Sequence, residues 1–332
     1  FHSAPATAQA FDCAQVTDVP AGECEALVAF YNSTSGTGWT NHTNWLETNT
    51  VGNWYGVTVS GGRVTKLELK SNLLSGPLPD EISLLSNLQT LDLSTNQISG
   101  QIPSFLGNIP TFRQLGFFGN QLSGPTPAEL GNLSQLTSLT LGANQLSGTI
   151  PPELGNLGNL TRLWLYDNQL TGTIPPELGN LANVENFVIE DNLLSGSIPP
   201  ELGNLTKAWV INISGCQITG SIPASFGELT SLMYLDLSEN QLSGSIPSQL
   251  GNLSNLRYLE LNNNQLSGSL PTSLGNLSQL SRMYLEKNQF SGAIPSQLGN
   301  LMNLSWLRLD SNELTGTIPP QLGQGQIYQL YL

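Results

Sequence analysis

The 332-residue sequence predicts an α/β repeat protein, a right-handed solenoid in which short units stack along one axis. Three observations lead to this fold class. An Asn recurs every 24 residues, a Gly and a Pro keep the same period, and each unit contains a short alternation of Leu with polar residues. Eleven such units are present, and one of them reads LQTLDLSTNQISGQIPSFLGN over residues 88–108. A fixed period of this length indicates stacked units and overrides the two domains that chain length alone suggests.

Residues 11–63 precede the repeats and are expected to form an amino-terminal cap. Pro20 opens a short helical pattern, and Gly61-Gly62 lies between two alternating segments, which predicts a β-hairpin that leads into the first repeat. Residues 1–10 end in Ala8-Gln9-Ala10, which resembles a signal-peptidase site. They are either the remnant of a leader peptide or a disordered tail.

The repeats over residues 64–326 can all be interpreted in the same way. Leu91-Asp92-Leu93 alternates as a short strand with one buried face, and Asn96 follows at a turn where its amide can bond unpaired backbone groups. Gly100 permits close packing, and Pro103 prevents a continuing helix. No unit can bury its apolar edge alone, so neighbouring units must stack. The expected structural ladder consists of Asn72, Asn96, Asn120, Asn144, Asn168, Asn192, Asn240, Asn264, Asn288 and Asn312, and Cys216 fills its one gap.

The carboxyl end, IYQLYL at 327–332, begins another strand one residue early in register and stops. We interpret it as a truncated final strand. Eleven strands at a spacing of about 4.8 Å predict a parallel sheet roughly 50 Å along its curve.

The unit LxxLxLxxNxLxGxIPxxLGN resembles the plant-type leucine-rich repeat, and the match extends over about residues 64–323. The resemblance implies that the strands line a concave face. It also implies a second short sheet at the LSGxIP segments and an irregular convex side with 3-10 turns. The family is mostly non-enzymatic and binds proteins, peptides or small hormones on the concave face.

Plant relatives usually place two Cys around the W-x-G-V segment of the cap, where this chain has Asn53 and Val59. Cys13 and Cys24 are close in sequence, and we expect them to pair with each other instead. Such a disulfide implies an oxidising compartment, hence a secreted or cell-surface protein. The alternative is two free buried thiols.

Composition excludes several classes of function. Ten Lys and Arg against 24 Asp and Glu give a net charge of −14, which argues against nucleic-acid binding. No apolar run approaches the roughly 18 residues that a membrane segment needs. Two His and three Cys leave little material for a metal site or a Cys–His nucleophile, so we expect no metal and no cofactor.

Residues between the Leu positions of each strand point away from the core and are the positions free to bind a ligand. Two groups combine aromatic rings with charge, as contact surfaces do. The upstream cluster comprises Arg162, Trp164, Tyr166, Asp167, Glu190 and Asp191. The downstream cluster comprises Tyr234, Asp236, Tyr258, Glu260, Arg282, Tyr284, Glu286, Trp306, Arg308 and Asp310. The alternative is that aromatic residues simply suit strand surfaces.

We therefore expect a monomeric, secreted or cell-surface recognition module that binds an extracellular protein, peptide or glycan on the concave face without catalysis. The acidic balance favours a basic or hydroxyl-rich partner. The resemblance supports two alternatives, an inhibitor of a secreted cell-wall hydrolase and the ectodomain of a longer receptor kinase.

Two more alternatives come from rows of surface residues. The LSGxIP segments present Ser and Thr in register, as in Thr171-Gly172-Thr173, an array that could match ice; some plant leucine-rich-repeat proteins are antifreeze proteins. Pairs of carboxylates on neighbouring strands suggest glycoside hydrolysis, but an open sheet is expected to provide little desolvation to raise one pKa. Sequons such as Asn132 and Asn252 would be glycan sites in a eukaryotic secretory host.

Overall fold

The computed structural model describes residues 11–324 and 327–332, and it confirms the predicted solenoid with a long parallel sheet and many 3-10 turns. Within those residues the long sheet has 13 strands, all parallel except the first pair. Its strands are Val57–Ser60, Arg63–Glu68, Thr90–Asp92, Gln114–Gly116, Ser138–Thr140, Arg162–Trp164, Asn186–Val188, Val210–Asn212, Tyr234–Asp236, Tyr258–Glu260, Arg282–Tyr284, Trp306–Arg308 and Gln329–Tyr331.

Alternation of Leu with polar residues produces these strands. In the strand Thr90–Asp92 the central Leu91 is fully buried, and Leu93 beyond it is fully buried as well. Successive strands pair at an offset of 24 residues, so that Leu91 faces Leu67 on one side and Leu115 on the other. The same side chains therefore stack through the molecule and form one continuous apolar core.

The LSGxIP segments form short parallel strands on another side of the solenoid, in three sheets rather than the single one expected. The first has five strands, the second two and the third four. Backbone hydrogen bonds, such as Ser195 N to Gly172 O at 2.8 Å and Ser243 N to Gly220 O at 2.7 Å, continue across the breaks. The strands are Ser75–Pro77, Gln97–Gly100, Gln121–Pro125, Gln145–Thr149 and Gln169–Thr171, then Ser195–Ser197 and Gln217–Thr219, then Ser243–Gly244, Gln265–Gly268, Gln289–Ala293 and Glu313–Thr315.

Each repeat then turns through one short 3-10 helix. A Pro in extended conformation stands immediately before these turns, for example Pro151 with ψ of 128° before Pro152–Asn156. The repeat turns are Asp80–Leu84, Ser104–Asn108, Ala128–Asn132, Pro152–Asn156, Pro176–Asn180, Pro200–Asn204, Ala224–Glu228, Ser248–Asn252, Thr272–Asn276, Ser296–Asn300 and Pro320–Gln324.

The recurring Asn side chains join consecutive repeats. The Asn96 Oδ1 atom accepts from the backbone N–H of Asn72 at 2.9 Å and of Leu74 at 3.0 Å. Its Nδ2 donates to the carbonyls of Leu69 at 2.9 Å and Leu93 at 2.8 Å. Each Asn thus satisfies backbone groups of its own repeat and of the preceding one, which no strand would pair.

The amino-terminal region contains the helix Ala21–Ser33, and Cys13 and Cys24 form a disulfide with Cα atoms 5.7 Å apart. Further 3-10 turns lie at Cys13–Gln15, Gly36–Gly38 and Val51–Asn53. The buried Glu23 carboxylate accepts from Arg63 Nε at 2.5 Å and from the Val64 N–H at 2.7 Å, which ties the helix to the second strand.

Asp18 holds the loop that leads to Asn53, one of the two positions where the resemblance implied a Cys. Its two carboxylate oxygens accept from the N–H groups of Val51 at 3.0 Å and Gly52 at 2.7 Å. Hydrogen bonds to a carboxylate thus tether this loop in place of a covalent bridge.

The last described strand, Gln329–Tyr331, pairs Leu330 with Leu307, an offset of 23 residues instead of 24. Leu330 is 40% exposed and Leu332 is 47% exposed. No helix in the described part of the chain has both the length and the apolarity needed to cross a membrane.

Candidate ligand-binding surface

The upstream cluster brings three of its side chains together. The Arg162 guanidinium lies 4.9 Å from the centre of the Trp164 ring, and Trp164 meets Tyr166 edge to face with ring centres 6.0 Å apart. Tyr166 also lies 5.7 Å from Phe118, two strands away. A Cβ at Gly142 would be 2.9 Å from the Tyr166 ring, so this Gly leaves the room that the ring occupies.

The acidic members of that cluster are arranged differently. Asp167 and Asp191 occupy the turn after their strands at φ of 52° and 51°, the left-handed region that Asp tolerates better than most residues. Glu190 accepts a hydrogen bond from Nδ2 of Asn212 on the next strand. Burial, and then the charge of Asp191, raises the pKa of Glu190. Glu190 thus lies between the two clusters, since its charge acts on Tyr166 and the charge of Asp236 acts on it.

Hydrogen bonds fix the first strand of the downstream cluster. The Tyr234 hydroxyl donates to Asp236 Oδ2 at 3.0 Å. Asp236 Oδ1 accepts from the N–H of Ser238 at 2.9 Å and from its hydroxyl at 2.6 Å. Asp236 is only 6% exposed, so our expectation that this carboxylate is free to contact a ligand is wrong. Neighbouring side chains cover it and use its lone pairs.

Glu260 lies directly beside Asp236 in the sheet register. Burial first, and the adjacent Asp236 charge second, raise the pKa of Glu260 to about 7, while Arg282 acts in the opposite direction. This differs from our expectation that an open sheet would provide little desolvation to raise the pKa of a carboxylate. Asp236 and Glu260 lie side by side on adjacent strands, and the positive charge of Arg282 does not fully offset the repulsion between them.

Aromatic rings and two Arg side chains complete the cluster. The rings of Tyr234 and Tyr258 are 5.8 Å apart. The Arg282 guanidinium lies between two strands, 5.3 Å from the Tyr258 ring and 5.7 Å from the Trp306 ring. Tyr284 stands on the same strand as Arg282 and is partly exposed. Stacked rings and guanidinium planes form a continuous, semi-rigid contact surface.

Arg308 bridges the last two acidic side chains. Its Nη1 lies 2.9 Å from Glu286 Oε1, and its Nε lies 3.5 Å from Asp310 Oδ1. Glu286 is 3% exposed, so it too is not the free contact residue that we expected. Its Oε2 atom is buried without a hydrogen-bond partner among the described residues, and burial raises its pKa.

Sequence reasoning missed a trough that crosses the first five repeat strands and has a volume of about 290 Å³. It shares only Arg162 and Trp164 with the upstream cluster. The residues that line it are Lys70, Asp92, Ser94, Gln114, Leu115, Gly116, Phe118, Ser138, Thr140, Arg162 and Trp164. The signal that could have found it is Gly116, which removes one side chain from the third repeat strand of an otherwise continuous surface.

No group of three or more His, Cys, Asp or Glu side chains within residues 11–324 and 327–332 is arranged to hold a metal ion. The acidic side chains of the downstream cluster instead contact Tyr, Ser and Arg. The surface offers hydrogen bonding, ring stacking and negative charge as its means of recognition.

Leucine-rich-repeat family models match residues 209–266 and, as single repeats, 87–109, 135–157, 159–181 and 303–324. The chain is a leucine-rich repeat protein of the plant type. The sequence matches no curated protein at a significant level.

Solved structures of plant receptors are similar to this chain. The plant peptide hormone receptor RGFR1 in complex with RGF2 is 34% identical with a TM-score of 0.72, over 78% of this chain and 46% of that one. The ectodomain of the Arabidopsis thaliana receptor kinase GASSHO1/SCHENGEN3, in complex with CASPARIAN STRIP INTEGRITY FACTOR 2, is 34% identical with a TM-score of 0.79, over 93% and 44%. The chain thus spans about half the length of these receptor chains.

A plant ice-binding protein is also similar. It is 27% identical with a TM-score of 0.75, and the match covers 91% of this chain and 100% of that chain.

Proposed function

We propose that this leucine-rich repeat protein is an extracellular recognition module that binds an extended, basic peptide segment on its downstream cluster. The observation that carries the proposal is that Glu260 lies directly beside Asp236 in the sheet register, so two carboxylates occupy adjacent strands. Burial and the Asp236 charge raise the pKa of Glu260 to about 7. A Lys or Arg side chain of a ligand would supply the missing positive charge.

The surroundings of Glu260 suit such a side chain. Tyr258 precedes it by two residues on the same strand, and Tyr284 is its register partner on the next strand. Aromatic rings beside carboxylates attract cationic groups through the ring faces as well as through charge. The similar receptors RGFR1 and GASSHO1/SCHENGEN3 are both solved in complex with their ligands, which supports binding as the general role.

Extracellular placement is supported by the Cys13–Cys24 disulfide, since such bonds persist in oxidising compartments. The similar GASSHO1/SCHENGEN3 structure is itself an ectodomain. We propose that the protein is secreted or held at the cell surface. A protein partner such as a secreted cell-wall hydrolase would use the same surface through a basic segment of its own.

We infer binding rather than catalysis from the state of Asp236. A glycosidase of the usual kind needs one carboxylate free to attack the sugar or activate water, beside a protonated acid. Glu260 has the raised pKa of an acid, but the Asp236 carboxylate accepts three hydrogen bonds and is buried. That pair offers no free nucleophile.

The test is selection of random peptides displayed on phage against the wild-type protein, followed by titration of the selected peptides as synthetic molecules. We expect Lys and Arg to be enriched. The double variant Tyr258→Ala/Trp306→Ala should lose at least tenfold in affinity, with thermal unfolding nearly unchanged.

The matched control is Tyr55→Ala/Trp209→Ala, which also removes one Tyr and one Trp, each 41% exposed and outside the downstream cluster. It should bind as the wild type does. Peptides without basic enrichment, or equal affinity in the Tyr258→Ala/Trp306→Ala variant, would contradict the proposal. Binding should also release protons near pH 7, since a cation beside Glu260 lowers its pKa.

We propose ice binding as a second candidate, because a hydroxyl row runs unbroken along the LSGxIP strands. Every repeat has Ser or Thr at the first position of this row and Gly after it. The row is Ser75, Ser99, Ser123, Ser147, Thr171, Ser195, Thr219, Ser243, Ser267, Ser291 and Thr315. Similarity to a plant ice-binding protein over that protein's whole length supports it.

The test for this candidate is freezing-point hysteresis and ice-crystal shape at high protein concentration. Thr149→Tyr/Thr173→Tyr places bulky rings on two exposed positions of the LSGxIP segments. It should abolish both effects, while Tyr258→Ala/Trp306→Ala keeps them. Absence of both effects in the wild type would remove ice binding as a function.

A further inference from the structure

The trough near the start of the long sheet lies apart from the downstream cluster. It runs from Lys70, just beyond the first repeat strand, to Arg162 on the fifth, and four strand spacings of about 4.8 Å make it roughly 19 Å long. Three further spacings, roughly 14 Å, separate its last strand from Tyr234. A ligand in the trough therefore need not touch the proposed peptide site.

A Gly on the third repeat strand opens the trough. Gly116 places no side chain between Asp92 and Thr140, its register partners on the two neighbouring strands. A Cβ at Gly116 would lie 2.8 Å from Asp92 Oδ1, so the carboxylate lies across the Gly. On the far side Gly142 is covered by the Tyr166 ring, which in turn contacts Phe118. The floor is polar and one wall is aromatic.

The polar side chains of the trough are not used inside the protein. Within the described residues, the side chains of Lys70, Gln114, Ser138 and Thr140 make no hydrogen bond to protein, and the Asp92 carboxylate accepts one hydrogen bond, from the N–H of Ser94 at 3.0 Å. By contrast, the Asp236 carboxylate of the downstream cluster accepts three hydrogen bonds. Donors and acceptors in the trough thus keep nearly their full capacity for a ligand.

The lining distinguishes among ligand classes. Asp92, on the second of the five strands, opposes a phosphate or a carboxylate. Amide, hydroxyl, ammonium and carboxylate groups together match a ligand with many hydroxyls, each of which donates and accepts. The faces of Phe118 and Trp164 suit the apolar C–H faces of sugar rings. The length, together with the open upper side, suits a chain of rings rather than a single one.

We infer that the trough binds a short oligosaccharide of neutral pyranose units. The rings lie against Phe118 and Trp164, their hydroxyls bond Asp92, Gln114 and Ser138, and Lys70 donates at the far end. This site extends the recognition role beyond peptides and does not depend on the downstream cluster.

The experiment uses saturation-transfer NMR and calorimetry with wild-type protein and a panel of soluble neutral oligosaccharides, namely gluco-, xylo- and manno-oligosaccharides of two to six units, with oligogalacturonates for comparison. We expect at least one neutral series to bind with affinity that rises with chain length up to the length of the trough. Ser138→Trp, which fills the middle of the trough from a half-buried position, should reduce that affinity at least tenfold. Gln114→Ala should reduce it severalfold with no change in fold.

The two sites are separated by reciprocal controls. Tyr258→Ala/Trp306→Ala should keep full sugar affinity, and Ser138→Trp should keep binding of the selected peptides, which also shows that it is folded. Binding of no neutral oligosaccharide, binding of the oligogalacturonates alone, or unchanged affinity in Ser138→Trp would each overturn the inference. None of these results bears on the peptide site, whose own variants test it.

Discussion

At the scale of single residues, the Asn ladder shows how much of the stacking depends on one amide per repeat. Asn192 donates to the carbonyls of Leu165 and Ile189, both at 3.1 Å, and accepts from the Leu170 N–H at 3.0 Å. Cys216 takes this position in the next repeat, and its Sγ makes a long contact with the Ile189 carbonyl at 3.8 Å. Burial raises the pKa of its thiol to about 11, so it remains protonated and unreactive.

Replacing Cys216 with Asn should therefore stabilise the protein. The new amide would supply the acceptor and the donors that the other ladder positions have, and a net gain of about 1–2 kcal/mol is expected for the added hydrogen bonds. Urea unfolding followed by circular dichroism measures the change. Cys216→Ala serves as the control and should be neutral or destabilising. A Cys216→Asn variant no more stable than Cys216→Ala would contradict this account of the ladder.

Glu260 predicts how stability depends on pH. Its pKa is about 7 in the folded protein against an ordinary value of 4.5, so the folded state binds the proton more tightly than the unfolded state does. This group therefore favours folding least when it is ionised, and its contribution to stability falls as pH rises from about 4.5 to 7. The expected loss is about 1 kcal/mol, reduced from the full linkage value because the half-buried side chain is screened by solvent.

The measurement is the free energy of unfolding at pH 5 and pH 8. Glu260→Gln should flatten the difference between the two. Glu239→Gln removes the same charge from an exposed position one repeat away and should leave the difference intact. Equal slopes in both variants would show that Glu260 is not the group responsible.

At the scale of elements, successive 3-10 turns pack against each other at a column of Gly residues. These Gly residues allow the backbones of neighbouring turns to approach closely, and they do not adopt the left-handed φ that usually requires Gly. A Cβ at Gly155 would lie 2.3 Å from the carbonyl oxygen of Glu177 in the next repeat, and one at Gly179 would lie 2.4 Å from that of Glu201. The neighbouring backbone therefore occupies the volume of a side chain. This close packing explains why Gly occupies the fourth position of these turns, as Gly155 and Gly179 do.

Gly155→Ala should destabilise the protein by about 3 kcal/mol, because the backbone of the next turn must move to admit a methyl group. Gly158 lies three residues away in the same repeat, and a Cβ there meets nothing within 4 Å. Gly158→Ala should accordingly change stability by no more than about 0.5 kcal/mol. Thermal unfolding of the two variants side by side gives the comparison, and similar melting temperatures would refute the packing argument.

The elements themselves follow from local sequence, whereas the division of the LSGxIP strands does not. Alternating Leu and the 24-residue period locate each strand of the long sheet, because burial of one face permits only one register. The strand Ser195–Ser197 begins later than Gln169–Thr171 does, and Leu193 occupies the place of Gln169 in its repeat. Where each of these strands begins depends on its backbone pairing with the neighbouring strand. The repeat pattern in the sequence does not contain that information.

At the scale of the whole molecule, the concave face divides into two chemically different regions. The trough has Lys70 and Arg162 at its ends and unused polar groups between them, while the downstream cluster concentrates carboxylates and rings. Sequence reasoning located the downstream residues because their types are conspicuous. It missed the trough because the decisive feature there is the absence of a side chain at Gly116. It wrongly expected Asp236 and Glu286 to be exposed, because their burial by neighbouring side chains depends on the three-dimensional arrangement.

The Gly-to-backbone contact between successive turns has a consequence for how such a molecule can change over time. Since every unit meets the next through the same contact, a complete unit of 24 residues can be gained or lost without disturbing the surfaces on either side, whereas a shorter insertion breaks the register. The spacing between the trough and the downstream cluster is then adjustable only in discrete steps of about 4.8 Å. Gain or loss of whole repeats would therefore move the two sites apart or together in fixed increments, which would match them to longer or shorter ligands.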